Sequence, residues 1–316
     1  MEKRAFLALN PEAGSGSALT LGEELRARLA QAAWEVRIHH VHPGENLSSL
    51  VREAAEESYD LFCAAGGDGT VAGVAGGLVG MKAPLAILPC GTGNVLARDL
   101  GIPLEGERAL ELILGSHNTR SIDAMHVGER YFFLNMGIGL NASVVRDTSQ
   151  REKRLFGTAA YVWTAVRTAL FPPHASFRVT IDGKESQFPA SDVIIANSTI
   201  IGGPLLRLDP QARLDDGRLE IFSIFSKSLI EYLLLTSNVL LGWQRIDRHL
   251  AQREAYYEVR VESDPLLPVQ ADGEELGETP VCLRLAPRAV RVVVPAPKPE
   301  ERRMLEAFRV KTTRRS

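Results

Sequence analysis

The chain has 316 residues, 45% of them hydrophobic and 24% charged, with a formal net charge of -3. That length favours two domains, and the composition is that of an ordinary globular protein rather than a disordered or membrane-embedded one. The small net charge supplies no global field to recruit nucleic acid. Cys63, Cys90 and Cys282 show neither metal-ligand spacing nor a disulfide framework, as suits a reducing cytoplasm.

Residues 1–9 run directly into an apolar strand (4–9) with no signal-peptide pattern. The segment Asn10-Pro11-Glu12-Ala13-Gly14-Ser15-Gly16-Ser17 then opens a helix over 18–34, whose Leu21, Leu25, Leu29 and Ala32 recur at helical spacing. A strand at 36–41, a helix at 47–58 and a strand at 60–65 follow. The loop Gly66-Gly67-Asp68-Gly69-Thr70 leads into a small-residue helix over 70–78. A third unit runs from a strand at 84–89 through Cys90-Gly91-Thr92-Gly93-Asn94 into a helix at 95–100, and a short helix covers 107–114. Repeated strand–loop–helix units predict a doubly wound parallel sheet with helices on both faces.

From residue 120 onward short β-rich runs dominate, at 131–135, 177–181, 193–196, 219–225, 257–262, 267–271, 281–285 and 290–294. The turn pairs Asp182-Gly183, Asp216-Gly217 and Asp272-Gly273 lie between them. Helices are expected at 156–171 and 229–249. The second domain is therefore expected to be antiparallel β, a sandwich or open barrel, with the boundary near residue 122. The apolar stretch 229–243 contains Glu231 and is too short to span a bilayer, so it reads as an amphipathic or core helix.

Three loops fall at the carboxyl ends of the expected parallel strands: 10–17, 66–70 and 90–94. Such loops converge on a crevice at one sheet edge, and each offers glycine plus a hydroxyl or amide group suited to phosphate oxygens. None is a Walker A loop, and the Gly-x-Gly-x-x-Gly dinucleotide spacing is missing from the first. Asp68 inside a phosphate-shaped loop either caps a helix or serves phosphoryl-transfer chemistry. Asp215-Asp216-Gly217 and Asp272-Gly273-Glu274-Glu275 are acidic turns. The first offers a carboxylate beside backbone carbonyls for Mg²⁺, and the second a carboxylate within reach of a hydroxyl proton.

Taken together, Asn10-Pro11 with Gly14, Gly66-Gly67-Asp68-Gly69-Thr70, Gly91-Thr92-Gly93-Asn94 with Ala97-Arg98, Asp215-Asp216-Gly217 and Asp272-Gly273-Glu274 resemble the bacterial diacylglycerol kinase-like lipid kinases. These are relatives of the sphingosine and ceramide kinases. The resemblance covers nearly the whole chain. It implies a nucleotide domain over 1–122, a β-sandwich over 123–294, an active site in the cleft between them, and residues 295–316 returning onto the first domain. It implies ATP as phosphoryl donor with Mg²⁺, and Glu274 as the base for the lipid hydroxyl. Asp68 would sit beside the phosphates in the magnesium network. Asn10, Pro11, Gly14, His40, Gly66, Gly67, Asp68, Gly69, Thr70, Val71, Ala72 and Thr92 would bind nucleotide. Asp216, with the main-chain carbonyls of Arg213 and Arg218, would hold a Mg²⁺, and Asp123 would complete the acidic network. Val95 stands where relatives often carry aspartate, His40 where threonine is common, and Ala13 where serine is common.

The expected reaction is transfer of the ATP γ-phosphate to a membrane-lipid hydroxyl, most simply diacylglycerol to phosphatidic acid. The expected location is cytoplasmic, in peripheral contact with the inner face of the membrane. A NAD kinase-type enzyme and a non-catalytic nucleotide- or lipid-binding regulator remain the alternatives. No nucleic-acid partner is expected, and a homodimer is compatible with a sequence that does not decide oligomeric state. His39, His40 and His42 read as an exposed strand end, since neighbours on a strand face opposite sides. Arg151, Lys153 and Arg154, followed by Tyr161, Trp163 and Phe171, read as a solvated helix start with core aromatics. The arginine-rich tail from 298 onward either attracts anionic headgroups or simply keeps the chain soluble.

Overall fold

The computed structural model describes residues 3–139, 142, 175–200, 207–209, 212–243 and 247–296. The helix expected at 156–171 and the tail beyond 296 lie outside them. Strands β1 (Lys3–Leu9), β2 (Trp34–His40), β3 (Leu61–Gly66) and β4 (Leu85–Pro89) form a parallel sheet in the order β2-β1-β3-β4. Alternating residues face opposite sides, as strand periodicity demands. Phe6, Ala8, Phe62 and Ala64 pack under α2 (Leu47–Glu56) and α3 (Asp68–Gly77). Ala5, Leu7, Leu9, Cys63 and Ala65 pack under α1 (Ser17–Gln31) and α5 (Gly106–Leu114). With both faces covered, the inner strands read as unbroken apolar runs, which is why they were legible. Phe6 and Phe62 are fully buried, each contributing about 1.5–3 kcal/mol of transfer energy.

The glycines of α3 are poor helix formers, at about 1 kcal/mol each, but packing requires them. A Cβ on Gly77 would lie 2.6 Å from the Ser48 carbonyl oxygen and 2.7 Å from Val51 Cβ. Small residues there let α2 and α3 lie close together, and that closeness shapes one wall of the cleft described below.

The rest of the chain supplies β5 (Asn118–Val127), β6 (Arg130–Phe132), β7 (Asn135–Gly139), β8 (Ala175–Ile181), β9 (Lys184–Ala190), β10 (Asp192–Ala196) and β11 (Leu219–Ile224). After α6 (Leu229–Leu240) come β12 (Leu250–Ala255), β13 (Glu258–Asp264), β14 (Pro268–Ala271), β15 (Glu274–Glu278) and β16 (Val281–Val294). One antiparallel sheet runs β12-β11-β10-β7-β14-β15. It faces β9-β8-β13-β16 and β5 across a core that includes Met136, Ile138, Phe177, Val193, Ile221 and Val261. The second domain is thus a sandwich. Its outer face over β10 and β11 is covered by α6 through Leu235 and Val239.

β16 ties the two halves together. Its first residues pair with β13, Val292 pairs in parallel with Leu85 of β4, and its other edge pairs with β5, which runs across residue 122. Two expected strands, 281–285 and 290–294, are therefore one, irregular between Ala286 and Val290, where Arg288 has a positive φ of 52°. The run expected at 131–135 is instead divided between β6 and β7. The helix expected to reach 249 ends at Leu240, with Gly242 at φ 78° just beyond it. The pattern did not reveal β5, which straddles the expected boundary near residue 122, nor β9, β12 and β15, sequences KESQFPA, LAQREA and EELGE. The last three are sheet edges, where charge blocks pairing with other chains and hides the apolar alternation.

Candidate active site

The three phosphate-type loops meet at the carboxyl edge of the parallel sheet. Loops 66–70 and 90–94 touch backbone to backbone: a Cβ on Gly91 would lie 2.6 Å from Gly67 Cα. The Asn10 N–H donates to the Ala65 carbonyl (2.9 Å), its Nδ2 donates to Thr70 Oγ1 (3.2 Å), and its Oδ1 accepts the Glu12 N–H (3.0 Å). Asn94 adopts φ 49° and closes its own loop, with Oδ1 accepting the Gly91 N–H (2.8 Å) and Nδ2 donating to the Gly91 carbonyl (2.7 Å). Gly14, His40, Gly69 and Thr92 are exposed along this edge, and Asn10, Pro11, Gly67 and Ala72 are partly so. Gly66 is buried at the end of β3. Val71 is buried. Its side chain belongs to the core under α3, and its N–H donates to the Gly67 carbonyl (3.0 Å).

Asp68 caps a helix, but not the one it begins. Its Oδ1 accepts the Val95 N–H (2.6 Å), at the start of α4 (Val95–Asp99). Burial pushes the carboxyl above its ordinary pKa, against the pull of the Val95, Leu96 and Asn94 N–H groups and the Arg98 guanidinium. A Cβ on Gly93 would lie 2.7 Å from Asp68 Oδ2, so the glycine leaves room for the carboxylate. Val95 therefore costs this chain an acid while its backbone supplies the donor that Asp68 holds.

Asp272 and Glu274 stand on the β14–β15 hairpin, turned by Asp272 (φ 51°) and Gly273 (φ 85°). Asp272 gathers three successive amides. Oδ2 accepts from Phe133 (2.7 Å), and Oδ1 accepts from Leu134 (2.9 Å) and Asn135 (3.0 Å). Those bonds break the run expected at 131–135 into two strands. Burial raises the Asp272 pKa to about 6, the three amides opposing and the Glu274 charge adding to the rise. Asp272 thus fixes the hairpin, and Glu274 projects from it with its carboxylate paired to the Arg130 guanidinium. A cleft of about 790 Å³ runs between this hairpin and the first domain. Gly69, Ala72, Gly73 and Gly76 of α3 line one side, with Arg130, Asp272 and Glu274 opposite.

The other acidic turn folds around Asp123. This buried carboxylate accepts the Gly217 N–H (2.7 Å) and the Arg288 N–H (2.6 Å), and the Asp123 N–H donates to the Leu214 carbonyl (2.6 Å). Burial raises its pKa, the two amides opposing and Asp216 and Asp215 adding. Asp215 pairs with Arg120 (2.8 Å) and Arg213 (3.0 Å). Asp216 pairs with Arg218 (2.9 Å), which also reaches Glu220 (3.3 Å) and Glu254. No three acidic, histidine or cysteine side chains among the described residues gather into a metal-ligand group. One carboxylate beside main-chain oxygens suits a hard cation that keeps most of its water. The Asp216 carboxylate is held here by Arg218 (2.9 Å), so a cation at this turn would have to displace that guanidinium.

Comparison with known proteins identifies the architecture. Residues 4–127 match the Diacylglycerol kinase catalytic domain family, and residues 135–294 match the YegS C-terminal NAD kinase beta sandwich-like domain family. A Pseudomonas aeruginosa protein named "Probable lipid kinase YegS-like" is 35% identical over 286 residues, covering 88% of this chain and 91% of its own. A Bacillus subtilis diacylglycerol kinase is 27% identical over 302 residues, covering 95% of this chain and 99% of its own. The chain belongs to the diacylglycerol kinase-like lipid kinase family. A crystal structure of a diacylglycerol kinase from Bacillus anthracis superposes with a TM-score of 0.76 at 25% identity, covering 95% of this chain and 98% of that one.

In this lipid kinase the three glycine loops come together, and Glu274 lines the same cleft as Gly69 of the second loop. Asp216, Arg213 and Arg218 form a separate turn joined to β5 through Asp123. Sequence reasoning missed Arg130, which meets Glu274 from 144 positions away. It also missed Asp99 and the segment Asn197-Ser198-Thr199, which are ordinary polar residues with no local pattern to mark them.

Proposed function

We propose that this lipid kinase transfers the γ-phosphate of ATP to a lipid hydroxyl, most simply converting diacylglycerol to phosphatidic acid. One observation carries the reading: Glu274 and the start of α3 line the same cleft, so an acceptor hydroxyl can reach a carboxylate and a nucleotide phosphate together. Asn10, Pro11, Gly14, His40, Gly66, Gly67, Gly69, Thr70, Ala72 and Thr92 would cradle the nucleotide, with Val71 in support from the core and Asp68 beside the phosphates in the magnesium network. Glu274 takes the hydroxyl proton. The lipid oxygen then bonds to the γ-phosphorus as the bond from the γ-phosphorus to the β–γ bridging oxygen breaks, and ADP leaves. Arg130 holds Glu274 in place until the acceptor arrives. Mg²⁺ would enter with the nucleotide and screen its phosphates. Asp216, with the Arg213 and Arg218 carbonyls, would hold a second one that braces the Asp123 turn.

A bilayer partner is supported by α6. Among its residues and those just after it, Ile230 is 69% exposed, Leu240 61% and Trp243 56%, with Leu233, Leu234 and Leu241 also exposed. The Glu231 carboxylate turns back to accept the Lys227 N–H, leaving the outer face of the helix without charge. Exposed Lys227 and Arg248 flank the stripe, which suits an anionic lipid surface. No described helix is long and apolar enough to cross a membrane. The enzyme would therefore work in peripheral contact with the inner face, on the cytoplasmic side where ATP is supplied.

The test is phosphorylation of vesicles carrying diacylglycerol, ceramide or a sphingoid base, with ATP binding measured alongside. Product on one lipid supports the kinase, and its identity names the acceptor. ATP binding without product on any lipid would favour the non-catalytic regulator.

A further inference from the structure

The two halves of the chain share β5 and β16, and they share a core in which Phe133, Leu134 and Leu214 cluster with Val71, Leu96 and Leu100. A directional polar tie also crosses between them. The side chain of Asp99, at the last turn of α4, reaches across to the sandwich. Its Oδ2 accepts from Ser198 Oγ (2.7 Å) and the Thr199 N–H (3.0 Å), and its Oδ1 accepts from Thr199 Oγ1 (2.7 Å). Ser198 is 1% exposed and Thr199 5%. Such charge-assisted bonds away from water are directional and strong.

Both ends of this tie lead to groups already placed. On the donor side, α4 begins at Val95, whose N–H is held by Asp68. On the acceptor side, Asn197 Nδ2 donates to the Asp123 and Phe133 carbonyls (2.9 Å each). The Asn197 and Ser198 N–H groups donate to the Leu134 carbonyl (2.9 and 3.0 Å), and the Leu134 N–H is bound by Asp272, two residues before Glu274. We infer that Asp99 is a positioning residue: its bonds to Ser198 and Thr199 latch the sandwich to the donor loops and set the distance between the γ-phosphate and Glu274. The inference rests on the phosphoryl-transfer reading above. A misplacement of about 1 Å in such a reaction costs on the order of a hundredfold in rate.

The experiment compares wild type with Asp99→Asn, Asp99→Ala and the double variant Ser198→Ala/Thr199→Val. Thermal unfolding, ATP affinity, lipid phosphorylation and lipid-independent ATP hydrolysis are measured for each. The latch predicts ATP affinity within about twofold of wild type and kcat for lipid lowered at least tenfold. It also predicts a higher ratio of ATP hydrolysed to lipid phosphorylated, because water competes better with a displaced acceptor. Asp99→Asn, which keeps one acceptor oxygen, should recover part of the rate lost in Asp99→Ala. Combining Asp99→Ala with the sandwich double variant should add little further loss, since both remove the same tie. Wild-type kcat in Asp99→Ala overturns the latch. So does a loss that merely follows the folded fraction or ATP affinity. Should wild type itself phosphorylate no lipid, the proposed function fails instead; the latch then fails if Asp99→Ala leaves amide hydrogen exchange at Thr199 unchanged.

Discussion

Replacing Asp68 separates a structural carboxylate from a chemical one. In Asp68→Ala the Val95 N–H loses its 2.6 Å acceptor, and the Asn94 and Leu96 N–H groups lose the same carboxylate. Losing a helix cap costs about 0.5–2 kcal/mol, and a buried donor left unsatisfied costs about 1–3 kcal/mol. Burial already disfavours the ionised carboxylate, which offsets part of the loss, so about 2 kcal/mol is expected. Asp68→Asn keeps a neutral acceptor for the Val95 N–H and should cost under about 1 kcal/mol. Urea unfolding of both variants, followed by a probe in the first domain, measures the two values. Lipid phosphorylation should follow the same ranking, with Asn well above Ala. Asp68→Ala as stable as wild type would refute the capping account. Asp68→Asn that is fully stable yet inactive would show that Asp68 serves the magnesium network as well as the cap.

Gly91→Ala puts a methyl group 2.6 Å from Gly67 Cα, so two loops must part, at about 1–3 kcal/mol. Calorimetric ATP titration should show affinity lowered at least tenfold. Replacing Leu233, Leu234, Leu240 and Leu241 by serine should weaken binding to anionic vesicles by at least about tenfold, at roughly 25 cal/mol per Å² of apolar surface withdrawn from lipid. Phosphorylation of detergent-dispersed lipid should survive; a switch from dimer to monomer in sedimentation would instead assign the stripe to self-association. Asp272 titrates near 6 when folded and near 4 when unfolded. Its protonated form therefore adds stability in full below about pH 4, and that contribution is lost as pH rises through 6. Relative to Asp272→Asn, wild type should gain about 2 kcal/mol as pH falls from 7 to 4. A pH-independent difference would contradict the raised pKa.

The parallel sheet was legible because its inner strands are buried on both faces and its loops carry glycine at the carboxyl edge. Edge strands β9, β12 and β15 were not, because charge suited to blocking edges erases the alternation that marks a strand. Within the site, Asp272-Gly273 could be read as a turn, but nothing local says that Asp272 collects the amides of Phe133, Leu134 and Asn135. Asp68 was legible as an acid in a phosphate loop, whereas its direction depends on Val95, brought close by the packing of Gly67 on Gly91. Arg130 and Asp99 act through partners far along the chain, so their roles exist only in the folded protein. Val95 shows the limit most clearly: its side chain marks the departure in the sequence, while the fold uses its backbone amide.

The most direct measurement incubates wild type and Glu274→Gln with γ-phosphate-labelled ATP, NAD and total bacterial lipid extract in mixed micelles. Both proteins are checked for equal folding and ATP binding, and the labelled products are separated. The account predicts label in one hydroxyl-bearing lipid with wild type, and at least a hundredfold less with Glu274→Gln. Label appearing on NAD or on no lipid at all, or equal labelling by the two proteins, would contradict it.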